Sequence, residues 1–429
     1  MKCSTLAIAT SGILLSAFLA APAVSQSVTY RFTVRAGKHD RTSTPVRVVL
    51  QESEVQANLD PVLLGQAKAV KLTDAEGNEL PAQLTHAGLL QQDPPGVVVR
   101  ELHFVLPNLK RGERLELAAL LSKSLTRAKG FQWKEVPDQF AELLHRDRPV
   151  MRYMCHPLDD SSKESREKTY KVFHHLYDPG GTRFVTKGPG GKFSHHRGLF
   201  YGFNRVSYGD VARVDTWHCG GEAHQSHEEF LLRESGPVLG RHRVRVDWHG
   251  PGQKVFATEQ REMTVYDVPG GYLVQFASRL ESTEGKVKLD GDPQHAGFQF
   301  RAAQEVADGD QKLTYYLRPD GKGKPGETRN WGGKNPDPRT VNLPWNAMSF
   351  VIDGTRYTAV YLDKPTNPKE ARYSERTYGR FGSYFEYELD ENKALELNYR
   401  VWLQEGEMTV DEAAARSADF IEPPEVEFR

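Results

Sequence analysis

The sequence predicts an all-β protein, a small N-terminal sandwich followed by a large antiparallel sandwich with a helix near its end. Three observations lead there. Glycine (37) and proline (25) are frequent enough to punctuate the chain with tight turns. Aromatic and β-branched residues gather in short runs that alternate with polar ones, which is the period of a half-buried strand. Apolar spacing of the helical kind is nearly absent before the last 25 residues or so.

The N-terminus comes first in the chain. Lys2 precedes an apolar stretch from about Leu6 to Ala20, and small residues follow at Ala21, Ala23 and Ser25. That order reads as a secretory signal over residues 1–25, cut after Ala23 or Ser25, which places the mature protein in the periplasm or outside the cell. No later segment reaches the roughly 20 continuous apolar residues a bilayer requires, so no membrane span is expected in the mature chain. Removal of the signal takes Cys3 with it. Cys155 and Cys219 remain, as one disulfide or as two unlinked buried thiols.

Residues 26–128 read as an accessory domain. Strand-like runs are separated by Asp74-Ala75-Glu76-Gly77-Asn78, Asp93-Pro94-Pro95-Gly96 and Lys110-Arg111-Gly112-Glu113, a spacing that suits an immunoglobulin-like sandwich. Its histidines, His39, His86 and His103, are well apart. A linker is expected near Leu125 to Glu135, and residues 129–429 form the larger domain. There, His242, Val244, Val246 and Trp248 share one face of a strand against Arg243, Arg245 and Asp247. Leu395, Leu397, Tyr399, Val401 and Leu403 likewise oppose Glu396, Asn398, Arg400 and Trp402, one dry face against one wet. Residues 319–344, around Trp331, have no periodicity and read as a long loop. Thr409 and Glu412 stand at capping-box spacing ahead of an alanine-rich turn, so a helix should start there.

Charge excludes some partners. With 56 Lys plus Arg against 57 Asp plus Glu, there is no field to attract nucleic acid or anionic lipid. Histidine usage points the other way, toward chemistry: ten of the 15 histidines lie between residues 156 and 249. Imidazole changes charge near neutral pH and ligates metals, so such a cluster implies proton transfer or metal binding.

His195 and His196 would point to opposite faces of a regular strand, but at the exit of the Gly-rich turn before them both could reach one cavity. In DTWHCGGEAHQSH, His218, Glu222, His224 and His227 are of types that suit zinc or non-haem iron, although their spacing matches no closed zinc motif. The same segment supports acid–base work if Glu222 lies beside His224. In DPQHAGFQFRA, alternation sets His295, Gly297, Gln299 and Arg301 on one side against Gln294, Ala296, Phe298 and Phe300. GRFGSYFEYEL repeats the arrangement, with Arg380, Gly382, Tyr384 and Glu386 opposite Phe381, Ser383, Phe385 and Tyr387. Polar rows of this kind can line a cleft for a hydroxyl- or carboxylate-bearing ligand.

Taken together in this order, HHRGLFYGFN, the Trp217-His218 segment with GEAHQ, DPQHAGFQFRA and GRFGSYFEYEL resemble an uncharacterised family of secreted bacterial proteins catalogued as methane oxygenase PmoA, over about Arg148 to Gln404. The reaction in that name belongs to an integral membrane protein and is not carried over to a chain without an internal span. The resemblance implies a galactose-mutarotase-like supersandwich with a sugar-facing cleft.

These readings combine into one expectation: an exported protein that acts on a carbohydrate or sugar acid by histidine and carboxylate chemistry, whether hydrolysis, elimination or epimerisation. His195, His196, Glu222, His224 and His295 are the candidate catalytic residues. Arg197, Trp217, His218, Gln299, Arg301, Arg380 and Tyr384 are the candidate substrate-binding residues. No cofactor is assigned, and a divalent metal stays open. The alternatives are a metal-dependent oxidoreductase, which would retain iron, copper or zinc, and a non-catalytic glycan-binding module.

Overall fold

The computed structural model describes residues 27–51, 61–91, 97–123, 130–332 and 336–429, so the expected signal at 1–25 and part of the expected linker, 125–129, lie outside the described residues. Every strand pairing among the described residues is antiparallel, and the longest helix, Val410–Ile421, comes near the end, as the sequence predicts. No helix among them is long and apolar enough to cross a membrane.

The N-terminal sandwich forms because its strands alternate. In Ser27–Arg35, Val28, Tyr30, Phe32 and Val34 are buried while Ser27, Thr29 and Arg31 face out. A five-stranded sheet containing this strand faces a three-stranded sheet of Arg41–Gln51, Val99–Leu109 and Ala82–His86. Phe32, Leu50, Leu72, Leu102, Phe104 and Leu121 fill the space between them. The edge of the larger sheet is supplied by the other end of the chain: Glu425–Phe428 pairs with Ser27–Arg35.

The larger sandwich stacks a nine-stranded sheet on an eight-stranded one. Val244, Val246, Trp248, Phe276, Leu397, Tyr399 and Val401 from the first meet Tyr201, Phe203, Phe298, Phe300 and Phe381 from the second, so the alternation in these strands selects the inward face correctly. The outward face of the nine-stranded sheet is not wet, as the alternation alone implies. The N-terminal sandwich and the helix Val410–Ile421 lie over it. Leu273 and Trp402 pack under Ala413 and Phe420 of that helix, whose start carries the full Thr409–Glu412 capping box.

The outward face of the eight-stranded sheet carries the side chains of interest. Strand Ala296–Arg301 lies between Leu199–Phe203 and Arg380–Tyr384, in a register that sets Arg301 opposite Arg380 and Gln299 opposite Gly382. The two polar rows seen in the sequence are therefore direct neighbours. A four-stranded sheet, including Arg205–Tyr208 and Val287–Asp290, closes one end and leads into the turn that bears His295.

Two other expectations resolve here. Cys155 and Cys219 are both buried free thiols. The loop around Trp331 is tied to the edge of the eight-stranded sheet: the Trp331 amide donates to the Tyr373 carbonyl at 3.1 Å, and the Arg372 guanidinium lies 5.5 Å from the indole.

Candidate active site

Three turns at one end of the eight-stranded sheet bring three histidines together. His195 and His196 lie in the turn that precedes Leu199–Phe203, not on the strand, so the opposition of their side chains on a regular strand does not apply. The His196 amide closes that turn on the Phe193 carbonyl at 3.0 Å. Gly198 then lets the chain enter the sheet: its φ is +36°, and a Cβ there would stand 2.0 Å from the His174 carbonyl oxygen. His218 follows the strand Val211–Val214, and His295 precedes Ala296–Arg301.

One ring nitrogen from each of His195, His218 and His295 lies within 4.8 Å of the other two. Their ring centroids are 4.3 Å apart for His195 and His218, 5.0 Å for His218 and His295, and 6.2 Å for His195 and His295. All three are half-buried, so the cluster opens to solvent.

Two of the three turns are built alike. Asp215-Thr216-Trp217-His218 and Asp292-Pro293-Gln294-His295 each put a carboxylate three residues ahead of the histidine. Asp215 accepts from the Trp217 and His218 amides at 3.0 and 2.8 Å and meets His218 Nδ1 at 2.8 Å. Asp292 accepts from the Gln294 amide at 3.0 Å and meets His295 Nδ1 at 3.0 Å. An aspartate that closes the turn thus also fixes the ring, with Nδ1–H directed to the carboxylate and Nε2 free toward the cluster. Burial opposes ionisation of Asp292, but the His295 hydrogen bond and charge, with that of Asn204, hold it down at about 2. Burial, with His218, Lys171 and His295 nearby, depresses His195 to about 2, so that imidazole is neutral.

Behind the cluster the site is cationic. His196 is fully buried beside the His195 ring, 4.3 Å centroid to centroid, and neither of its nitrogens has a partner. Arg301 and Arg380 are also fully buried, and neither has a carboxylate within ion-pair distance among the described residues. Arg380 donates to Gln299 Oε1 at 3.0 Å and Ser374 Oγ at 2.9 Å. Arg301 uses one amino group on the Ala302 and Tyr378 carbonyls. Arg301 Nε and Nη2, Arg380 Nε and Trp217 Nε1 remain without acceptors. Burial, with Arg380 close by, lowers Arg301 to about 10, and burial lowers Lys171 to about 8. Among the described residues, these buried donors of Arg301, Arg380 and Trp217 therefore have no protein acceptor.

Several expected residues have other duties. Glu222 does not meet His224: its carboxylate accepts from the Gly252 amide, while His224 Nδ1 contacts the Glu222 carbonyl at 2.8 Å and its ring stacks on His249 at 4.0 Å. The acid–base pair expected of them is therefore not formed. His227 lies against Tyr153, 3.3 Å from its hydroxyl, so the ligand set His218, Glu222, His224 and His227 does not assemble. Arg197 is buried on the Ser194 and Glu167 carbonyls and over the Tyr170 ring. Tyr384 packs in the core with its hydroxyl on Asp290, and the Trp217 ring is wholly buried against Phe200, so neither presents a ring face for a sugar to stack on. Phe193, 39% exposed, and Tyr378, with ring centroids 4.8 Å apart, form the accessible aromatic rim instead.

Sequence reasoning missed Asp215, Asp292, Lys171 and Tyr378. The repeated Asp-x-x-His spacing was the available signal for the two carboxylates, because an aspartate that caps a turn is in reach of a ring three residues on.

No curated protein matches the chain. Among solved structures, a protein in the Glycosyl Hydrolase Family 38 from Enterococcus faecalis is similar over 94% of this chain, with a TM-score of 0.42 and 9% sequence identity. The chain spans about half the length of that protein, 47%, and a likeness at this level has no bearing on activity. A family description matches residues 141–418, a range that contains all three clustered histidines and both aspartates; no activity is part of it, and the methane-oxygenase label has no counterpart there. The chain belongs to DUF6807, a family of unknown function.

Proposed function

We propose that this protein is an exported enzyme that acts on a carbohydrate or sugar acid by proton transfer at the His195, His218 and His295 centre. The observation that carries the reading is the convergence of three imidazoles from three separate turns, two of them held by their own aspartates. A structural role does not require this arrangement, since all three residues are partly exposed.

The chemistry follows from the tautomers. With Nδ1–H committed to Asp215 and Asp292, His218 and His295 present Nε2 as a base, and the ionised aspartate stabilises the imidazolium formed when a proton is taken. His195, held neutral by burial and its neighbours, offers a hydrogen-bonding nitrogen and is not the base. Arg301 and Arg380 supply donors for carboxylate or hydroxyl oxygens, and Phe193 with Tyr378 presents an aromatic face of the kind that sugar rings stack on. Hydrolysis, elimination and epimerisation all use such a base.

The test is a panel of neutral oligosaccharides and uronic-acid oligomers with product analysis by mass spectrometry and NMR. Wild-type protein should form a product that His295→Ala forms at least about 100-fold more slowly, with an unchanged circular dichroism spectrum. Undiminished turnover in that variant would remove His295 from the chemistry. Binding without any product over long incubation would favour the glycan-binding module.

A further inference from the structure

We infer that His195, His218 and His295 form a three-histidine site for a late first-row divalent cation such as zinc. The inference deepens the reading above, since it concerns the same centre, but it rests on the donor arrangement and is tested by binding.

Each ligand type and its surroundings point to a metal. Two imidazoles have Nδ1 on a carboxylate, which leaves Nε2 to face the shared space. The third, His195, has Nε2 buried without any partner. Lone pairs brought within 4.8 Å of one another repel, and a cation reverses the sign of that interaction. The carboxylate–histidine pairs are also the usual outer shell of a metal site, where the second ring nitrogen donates to a carboxylate that fixes the ring and raises its basicity. Here that shell is built twice, by the same Asp-x-x-His turn, and from separate parts of the chain. Asp292 is fixed in turn by Asn204 Nδ2 at 2.9 Å.

The donor set also selects among ions. Three imidazole ligands, with the aspartates one layer out, suit zinc, cobalt, nickel, copper or ferrous iron and not calcium or magnesium, which require oxygen ligands. Half-exposure of all three rings leaves the solvent side of the ion free for water or a substrate oxygen, as in catalytic sites and unlike closed structural ones. Arg301 and Arg380 behind the rings would then hold the remainder of an anionic substrate whose oxygen is bound to the cation.

The experiment uses the full-length mature chain, stripped with a chelator and titrated with zinc, and separately with magnesium, by calorimetry. Cobalt is added in parallel, because its visible absorption is much stronger in a four-coordinate protein site than as the six-coordinate aqueous ion. One zinc per chain should bind saturably and magnesium should not. Asp215→Asn, which preserves the turn, should weaken zinc by about 10–100-fold. His218→Ala, at a partly exposed ring, should weaken it further and abolish the cobalt spectrum. His249→Ala, remote from the centre, should leave both unchanged. Absence of saturable zinc binding, or binding equally strong in Asp215→Asn and His218→Ala, overturns the inference. Turnover without a metal would then leave the imidazoles acting directly, whereas zinc binding without turnover on any glycan would overturn the proposed reaction and leave the metal site standing.

Discussion

The two sheets of the large sandwich both bury charge on their outward faces, and they treat it in opposite ways. On the nine-stranded sheet, under the N-terminal sandwich, Arg241 lies 3.2 Å from Glu101, 3.7 Å from Glu234 and 3.7 Å from Glu262, and Arg243 lies 2.8 Å from Glu262. His103 completes the network on Glu101 at 3.0 Å. Burial works against the Glu101 charge, yet His103 and Arg241 hold that carboxyl well below its usual range. On the eight-stranded sheet, Arg301 and Arg380 are buried just as deeply and have only neutral oxygens as partners. Burial of an arginine is thus no mark of function in this molecule, and neither is the lack of an anion, since Arg197 is buried on neutral carbonyls alone; what distinguishes Arg301 and Arg380 is that they keep buried nitrogens with no acceptor among the described residues. The cavity of about 250 Å³ beneath the N-terminal sandwich belongs to the paired side, with Arg241, Glu101 and Glu262 in its wall.

The largest effects should separate the two faces outright. His218→Ala should lower turnover by about 10²–10⁴-fold and leave the urea midpoint near that of the wild type, since the ring is partly exposed. Arg241→Leu should do the reverse. It takes one cation from Glu101 and Glu262, which keep Arg47 and His103, and Arg243, as partners, so it is expected to cost about 2–3 kcal/mol in urea unfolding while KM and kcat of the surviving folded protein stay the same. A loss of turnover per folded molecule in Arg241→Leu would mean that the two faces are coupled.

Arg301→Met sharpens the contrast. Removal of a cation that has no anion leaves no stranded carboxylate, and the burial penalty it relieves offsets the bonds lost by the Ala302 and Tyr378 carbonyls, so stability should change by less than about 1 kcal/mol, below the Arg241 effect. Affinity for an acidic substrate should fall by about 10–100-fold as a charge-assisted hydrogen bond is lost, with little change for its neutral counterpart. Equal losses for acidic and neutral ligands would show that Arg301 shapes the site and does not read charge.

Much of this was legible in the chain. The alternations at His242–Trp248 and Leu395–Leu403 identify inward faces because burial on one side imposes a period of two residues. Gln299, Arg301 and Arg380 could be set on a wet-looking face for the same reason. The pairing that makes them neighbours depends on contacts across about 80 residues of chain and has no local signal. The histidine site was half legible: His195, His218 and His295 were all singled out, but Glu222 and His224, adjacent in sequence, were favoured over partners that only folding brings together. A turn decides the difference. His295 lies before its strand, and the aspartate that caps its turn, not strand alternation, aims the ring.

The buried histidines give both sheets a common sensitivity to acid. His174 and His242 face each other across the core with Nε2 atoms 3.0 Å apart. Burial keeps His174 well below its ordinary value and brings His242 and His175 to about 3. Their folded values lie below those of the unfolded chain, so below pH ~6.5 the unfolded state binds more protons. Stability is therefore fully present above pH ~6.5 and falls as the pH drops toward 3, by up to about 1.4 kcal/mol per pH unit for each such ring. Urea unfolding at pH 7, 6 and 5 measures the slope, and His242→Gln should flatten it. An unchanged slope in that variant would place the acid sensitivity elsewhere.

The smallest effect concerns the roof over the paired face. Thr409 caps the helix Val410–Ile421 through the Glu412 amide, and Glu412 returns the bond to the Thr409 amide at 2.7 Å. The same helix reaches the N-terminal sandwich, where Asp419 accepts from Arg41 at 3.0 Å and from Thr44 at 2.9 Å. Thr409→Ala removes one of the two capping bonds and should destabilise the protein by about 1 kcal/mol, read as a lower thermal midpoint. The helix covers Trp402 and Leu273 on the outward side of the nine-stranded sheet, and the whole thickness of the sandwich separates that surface from His195, His218 and His295. Turnover at a temperature where the variant is fully folded should therefore match the wild type. A fall in kcat there would mean that the position of the N-terminal sandwich is transmitted through the core to the histidine turns, which would make the paired face a control surface and not only a foundation.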